Sequence, residues 1–225
     1  MEFLDIAGYI CSILPYLLEG TLTTLRLFAL TLVIALPLGL IISMGSISKS
    51  IFLRGISSTY VWIFRGTPLL LQLFFVYYGL PYIQIPLLCP DGIVLDRFPA
   101  AVVTFVLNYA AYFAEIYRAG IQSIDRGQHE AAKVLGYTYG QKMTKIIIPQ
   151  TLRRILPPIT NETITLIKDT ALVASISVAE LLKAAKDVVN RDVNVMAFAV
   201  AAAIYLLLTL VLTKLLVSLE RKFIY

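Results

Sequence analysis

Histidine occurs once in this chain, at position 129, and cysteine twice, at Cys11 and Cys89. Neither cysteine has the neighbours that a metal site or a redox pair needs, so both read as ordinary apolar filler. His129 has no cysteine or acid at ligand spacing and is set aside as catalyst and as metal ligand. So sparse a set leaves little from which to build a membrane-embedded enzyme, which needs a nucleophile–base pair or a metal cluster. The run G-x-x-x-x-G-K-[ST] is missing too, so the chain has no phosphate loop with which to bind ATP itself. Charge is scarce: 15% of residues, against about 25% in soluble proteins, which excludes an ordinary soluble domain. The opening residues, Met1-Glu2-Phe3-Leu4-Asp5, are acidic where a signal peptide is basic, and no cleaved signal is expected.

What the chain has in quantity is apolar sequence: 59% of 225 residues, with a mean hydropathy of +0.82. The apolar residues fall in runs able to cross a hydrocarbon core, which takes ~20 residues as helix. Five spans are expected, at 17–46, 57–83, 98–121, 155–178 and 193–219, in a single transmembrane domain over 1–225. An amphipathic lead-in at 3–15 is expected along the interface. Asn161, Glu162, Lys168 and Asp169 make the fourth span the weakest by hydropathy, but charges in a span mark an interior-facing helix more often than a loop. Pro37, Pro68, Pro157 and Pro158 mark expected bends. Trp62, Tyr77, Tyr78 and Tyr82 read as interfacial anchors.

The net charge of +5 would suit a nucleic-acid partner, but its placement does not. Lys49, Arg54, Arg118, Arg126, Lys133, Lys142, Lys145, Arg153, Arg154, Arg221 and Lys222 fall on one side of the five spans. Only Arg97, Lys183, Lys186 and Arg191 fall on the other. The richer side is cytoplasmic by the positive-inside rule, which puts the N-terminus outside and the C-terminus inside. The loop at 123–150 is then cytoplasmic. Within it Gly136 is suited to the left-handed residue that ends a first helix. Thr138 and Gln141 form a T-x-x-Q capping box opening a second, and Pro149 is expected to break the chain before the fourth span.

That loop carries the most specific signal. Glu130, Ala131, Ala132, Gly136, Ile146, Ile148 and Pro149 match, position by position, the loop with which permease subunits of ATP-driven importers dock on their ATPase; only Ile148 departs, standing for Leu. Arg65-Gly66-Thr67-Pro68-Leu69-Leu70 and Leu166-Ile167-Lys168-Asp169-Thr170-Ala171-Leu172 resemble signatures of polar amino-acid permeases. Ala111-Tyr112-Phe113-Ala114-Glu115 and Arg118-Ala119-Gly120-Ile121 extend the likeness over most of the chain beyond the first span. The chain resembles the membrane subunit of a polar amino-acid ABC importer of the histidine, glutamine and arginine group. The resemblance implies an all-α integral membrane protein of the cell membrane, with five transmembrane helices of the type I importer kind and a cytoplasmic coupling helix between spans 3 and 4.

It also implies partners: two ATPase subunits, an extracytoplasmic binding protein and a second permease subunit, a homodimer being favoured and a heterodimer left open. ATP and Mg would sit on the ATPase, with no cofactor on this chain. Docking would fall to Glu130, Ala131, Ala132 and Gly136, small residues permitting close approach and one carboxylate fixing orientation.

The polar residues within the spans are candidates for the substrate path, since each is costly there unless paired, hydrated or facing a cavity. Asn108, Tyr112 and Glu115 share one face of the third span at i, i+4, i+7; Asn161, Thr165 and Lys168 share one face of the fourth, with Asp169 one residue round. Glu115 and Glu162 lie ~9 Å inside the same boundary at 1.5 Å per residue, so the two faces would line one cavity. The plainer alternatives are a structural Lys168–Asp169 ion pair, and interhelical or subunit contacts for Glu115 and Glu162. Glu115, Glu162 and Asp169 outnumber Lys168, a surplus favouring a basic amino acid that Arg26 and Arg65 would cancel if they face the same cavity. An ion-gradient carrier or channel is the competing class, but carriers commonly show inverted repeats, which are not seen here.

Overall fold

In the computed structural model the protein is described over residues 3–84 and 92–224, with side chains from 6 to 84 and 92 to 222. Cys89 lies outside the described residues. Every regular element described is a helix. α1 runs from Phe3–Ser46, α2 from Ile51–Gly66 and α3 from Leu69–Phe74; α4 is Arg97–Gln122, α5 Arg126–Val134 and α6 Tyr139–Lys142; α7 is Ile148–Asp169, α8 Leu181–Asp192 and α9 Met196–Ile224. α1, α4 and α9 each contain a stretch long and apolar enough to cross a membrane, and α2 with the segment 69–82 forms a fourth, broken candidate. α7 falls short by hydropathy, the weakness its sequence announced.

Three expectations of local structure are corrected. The lead-in at 3–15 is no separate element: it continues unbroken into the first span as α1, whose 44 residues extend ~66 Å at 1.5 Å each. The second span, expected as one run at 57–83, is broken into two helices at the place where Pro68 was expected to bend it. Thr67 is extended at φ −119°, ψ 145°, the conformation a following proline imposes, and Pro68 restarts the chain. A π turn at Phe75–Gly79 and a 3-10 turn at Leu80–Tyr82 follow α3. Nor does Pro149 break the chain: it is the second residue of α7, directly after a π turn at Met143–Ile147. The helix runs on past it by widening: the turn just before Pro149, which has no N–H to give, is a π turn in which the Ile148 N–H bonds the Met143 carbonyl.

Contacts cluster into two compact units, each assembled from separate segments. The first takes the chain up to Leu32, Pro68–Val106 and Ile164–Leu212. Its core joins Ile13 and Leu17 of α1 to Leu181, Ala184, Ala185 and Val188 of α8 and to Ala197 and Ala201 of α9. α8 runs antiparallel to α1: the Tyr9 hydroxyl donates to Asp192 Oδ2 at 3.0 Å, and the Leu181 N–H donates to Thr24 Oγ1 at 3.3 Å. Gly20 permits the approach, since a Cβ there would lie 2.9 Å from both Ala184 Cβ and the Glu180 carbonyl oxygen.

The second unit takes Val33–Thr67, Leu107–Thr163 and the chain from Thr213. α1 meets α4 where Gly39 leaves no room for a side chain, a Cβ there falling 2.8 Å from Phe113 Cβ. α2 is tied to α4 by the Tyr60 hydroxyl donating to the Leu107 carbonyl at 2.5 Å and by Asn108 Nδ2 donating to the Phe64 carbonyl at 3.1 Å. Close backbone approach with cross-helix hydrogen bonds is how apolar helices associate where no water drives them together.

Candidate functional site

A cavity of about 520 Å³ lies in the second unit, walled by α2 and α4. Ser58, Trp62, Arg65 and Gly66 line it from α2, and Tyr112, Glu115 and Arg118 from α4. Arg65 ends up here because it is the penultimate residue of α2, just before the break at Thr67–Pro68. Its guanidinium stacks over the Tyr112 ring, 5.3 Å from the centroid, and approaches Glu115 Oε1 at 3.9 Å.

Glu115 is held far more closely by Arg118, one turn along the same helix. Arg118 Nε donates to Oε2 at 2.8 Å and Nη2 to Oε1 at 2.6 Å, the bidentate fork that gives such pairs their strength. The third nitrogen of Arg118 donates to Gln122 Oε1 at 2.6 Å. The cavity therefore offers two guanidiniums against one carboxylate. Arg118 is committed to its partners, whereas Arg65 makes one long contact and stays 41% exposed. What the wall presents to a solute is a cation on an aromatic ring, flanked by the Ser58 hydroxyl and the Trp62 ring.

Of the third-span face read from the sequence, Tyr112 and Glu115 line this cavity, whereas Asn108 is buried a turn away and joins α2 to α4. The fourth-helix residues are not in its lining. Asn161, Thr165 and Lys168 form an exposed stripe along α7, with Glu162 and Asp169 half-buried beside it, while Thr163, Leu166, Ile167 and Thr170 turn inward. Sequence reasoning missed Arg118 and Trp62 as lining residues and weighed Arg65 only as a cancelling charge. The i, i+3 spacing of Glu115 and Arg118 was the signal for the first. Nothing in Trp62 itself separated an anchor from a wall.

The loop at 123–150 shows the left-handed glycine and the capping box its sequence predicts, though not the break at Pro149. Asp125 caps α5, its Oδ1 accepting the Gly127 N–H at 2.6 Å. Gly136 adopts φ +73° and Tyr137 N–H returns to the Ala132 carbonyl at 3.0 Å, the six-to-one bond of a left-handed helix terminator. Both halves of the capping box form: Gln141 N–H to Thr138 Oγ1 at 3.3 Å and Thr138 N–H to Gln141 Oε1 at 2.9 Å. Ala132 is buried, while Glu130, Ala131, Val134 and Leu135 face outward, the last two 87% and 73% exposed. Two apolar residues held on a rigid, capped turn beside a carboxylate present a ready contact surface. The neck of the loop is closed by Arg154 Nη1 donating to the Ser123 carbonyl and by Gln150 Nε2 donating to Gln128 Oε1 at 3.3 Å.

Residues 35–225 match the family of binding-protein-dependent transport system inner membrane components. The chain belongs to this family. The permease is 40% identical to the arginine transport system permease protein ArtQ of Bacillus subtilis, over 97% of each chain. It is 37% identical to the L-cystine transport system permease protein TcyB of the same organism, over 94% of this chain and 88% of that one. Among solved structures it superposes on an amino acid ABC transporter with histidines at a TM-score of 0.86 and 36% identity, covering 99% of both chains. The permease is thus a multi-pass membrane protein and a transport subunit, not an enzyme.

Proposed function

We propose that the permease carries polar amino acids, basic ones foremost, into the cytoplasm by alternating access driven by partner ATPases. It does so with five spans, α7 being the fourth, its N-terminus outside and the 123–150 loop in the cytoplasm. The observation that carries the reading is α5 itself: a capped, outward-facing turn in a chain whose relatives are named as arginine and cystine permeases. Closure of two ATPases would move the α5 turns of two permease subunits together, switching the spans between discrete packed states. Hydrolysis, with its ATP and Mg, belongs to those partners. An extracytoplasmic binding protein delivers the substrate.

The cavity refines the recognition. Glu115 is already forked by Arg118, so a substrate cation has no uncommitted acid in that wall, whereas the carboxylate common to every amino acid meets Arg65 on its tyrosine. We assign the α-carboxylate to Arg65; the acids Glu162 and Asp169 of α7, with Asn161, Thr165 and Lys168, are the candidates elsewhere on the substrate path for sensing the side chain. Guanidinium or ammonium groups pair with such acids, arginine bidentately. The test is ATP-dependent uptake by the complex in liposomes, with arginine, lysine, histidine and glutamine as the panel. Saturable import of a basic amino acid that weakens in Glu162→Gln more than ATP hydrolysis does supports the assignment. Equal import of all four would remove the preference for basic side chains, and no import of any would remove the function.

A further inference from the structure

Glu180 is fully buried, 0% exposed, and takes no part in the cavity or the docking loop. It caps α8, Oε2 accepting the Leu182 N–H at 2.8 Å and Oε1 the Lys183 N–H at 2.6 Å. A serine or aspartate performs that task on most helices. Glu180 does something more: its Oε2 also accepts the Tyr205 hydroxyl of α9 at 2.8 Å. One residue along, the Leu181 N–H donates to Thr24 of α1. Burial pushes the Glu180 carboxyl above its ordinary range, while the two amides and the phenol pull it back. A carboxylate with three donors in a dry interior is costly to leave half-satisfied, so the node is all-or-none.

The backbone on either side of α8 is unusual in a matching way. Ser177 at φ 61° and Val193 at φ 50° are the two non-glycine residues at positive φ among the described residues, and they bracket this one helix. For a β-branched valine the left-handed region is a true outlier, sustained only where the surroundings over-determine it. Between the two joints α8 is fastened along its length, by Glu180 and Leu181 at one end and by Asp192 to Tyr9 at the other.

We infer that Glu180 is a positioning residue for transport: through Tyr205 it clasps α8 to α9, beside the Leu181–Thr24 bond that holds α8 to α1, so that α8 moves with the parts of α1 and α9 packed on it, Val193 fixing the tight turn into α9 and Ser177 being the joint by which the chain enters this body. The inference rests on the permease reading. α8 follows the fourth span in sequence and precedes the fifth, at the end of the path where the binding protein would hand over substrate. A loosened α8 leaves the ATPases free to cycle while the entrance no longer follows them.

The experiment compares the parent complex, with its ATPase and binding protein in liposomes, against Tyr205→Phe and Glu180→Gln. Tyr205→Phe removes one hydroxyl and keeps the ring, so it is the variant expected to fold unaltered. Both should lower the amino acid imported per ATP hydrolysed, Tyr205→Phe by about fivefold or more, since its hydroxyl meets Thr24 and Thr170 as well as Glu180 and one hydrogen bond alone shifts a two-state equilibrium by about that much. Amide exchange should quicken in α8 and not in α5. A ratio unchanged in both variants overturns the inference, whatever their yield; so does a lowered ratio with α8 exchange unaltered. A parent complex that imports nothing would sink the permease function instead.

Discussion

At the scale of single residues, Arg65 turns a count of charges into an electrostatic site. Summed along the third and fourth spans, Glu115, Glu162 and Asp169 exceed Lys168 and make the path look acidic. Placed in space, Glu115 belongs to Arg118, and Arg65 stands over Tyr112 with its charge facing the cavity. Arg65→Ala should therefore raise the half-saturating concentration for uptake by about 10- to 100-fold for every amino acid carried, since a charge-assisted hydrogen bond contributes ~1.5–3 kcal/mol. Arg65→Lys keeps the charge but loses the fork and the stacking plane, and should fall between. The check is the concentration dependence of uptake with two substrates of unlike side chain; a change confined to one of them would move Arg65 from carboxylate to side-chain recognition. Glycines act at this scale as well. Gly39→Val forces atoms against Phe113 Cβ and the Ala110 carbonyl, with no flexible side chain to yield. Overpacking of that kind costs ~1–3 kcal/mol, expected as a lower melting temperature of the purified permease.

At the scale of elements, the loop between α4 and α7 was the most legible part of the chain and the second span the least. Gly136, Thr138 and Gln141 act within four residues of themselves, so their chemistry is written locally and survives folding unchanged. The break at Thr67–Pro68 is written locally too, but in a run so apolar that hydropathy averages across it. The π turn ahead of Pro149 carries no such mark, because a widened turn is a compromise between helix register and packing and belongs to no single residue type. In the candidate site, helical periodicity placed Tyr112 and Glu115 on one wall; it was silent on which helix forms the opposite wall. That is a question of tertiary pairing, and α2 answers it. The loop also yields a prediction of element scale. Gly136→Val puts a β-branched side chain at φ +73°, at ~1–2 kcal/mol. Thr138→Ala removes the cap for ~1 kcal/mol. Both should reduce the amount of ATPase that co-purifies with the permease, and the double variant more than either. Full retention in the double variant would show that the turn's geometry does not set the docking surface.

At the scale of the whole molecule, the docking role proposed for the α5 turn depends on which side of the membrane it faces. Glu130 is exposed on α5, so Glu130→Arg reverses the one carboxylate near Val134 and Leu135, leaving Lys133 in place, and should abolish ATPase capture without unfolding α5, whose caps lie at Asp125 and Gly136. Topology itself is testable by labelling in a background with Cys11→Ser and Cys89→Ser. Gln128 of α5 and Lys186 of α8 are both exposed and lie on different loops. The excess of lysine and arginine around the first predicts a cytoplasmic position for it, and the proposed crossing by α7 predicts an outside position for the second. Gln128→Cys should then react with a membrane-impermeant maleimide only in inside-out vesicles, and Lys186→Cys only in intact cells. The two sites are separated by α7 alone, the helix whose hydropathy falls short of a span. Labelling of both from one side would mean that α7 does not cross, and the docking turn and α8 would then share a compartment, which alternating access through this chain does not permit. Labelling from opposite sides establishes α7 as a crossing whose polar stripe is covered by protein or water, because a lipid-facing row of Asn161, Thr165 and Lys168 is the one arrangement the bilayer penalises most.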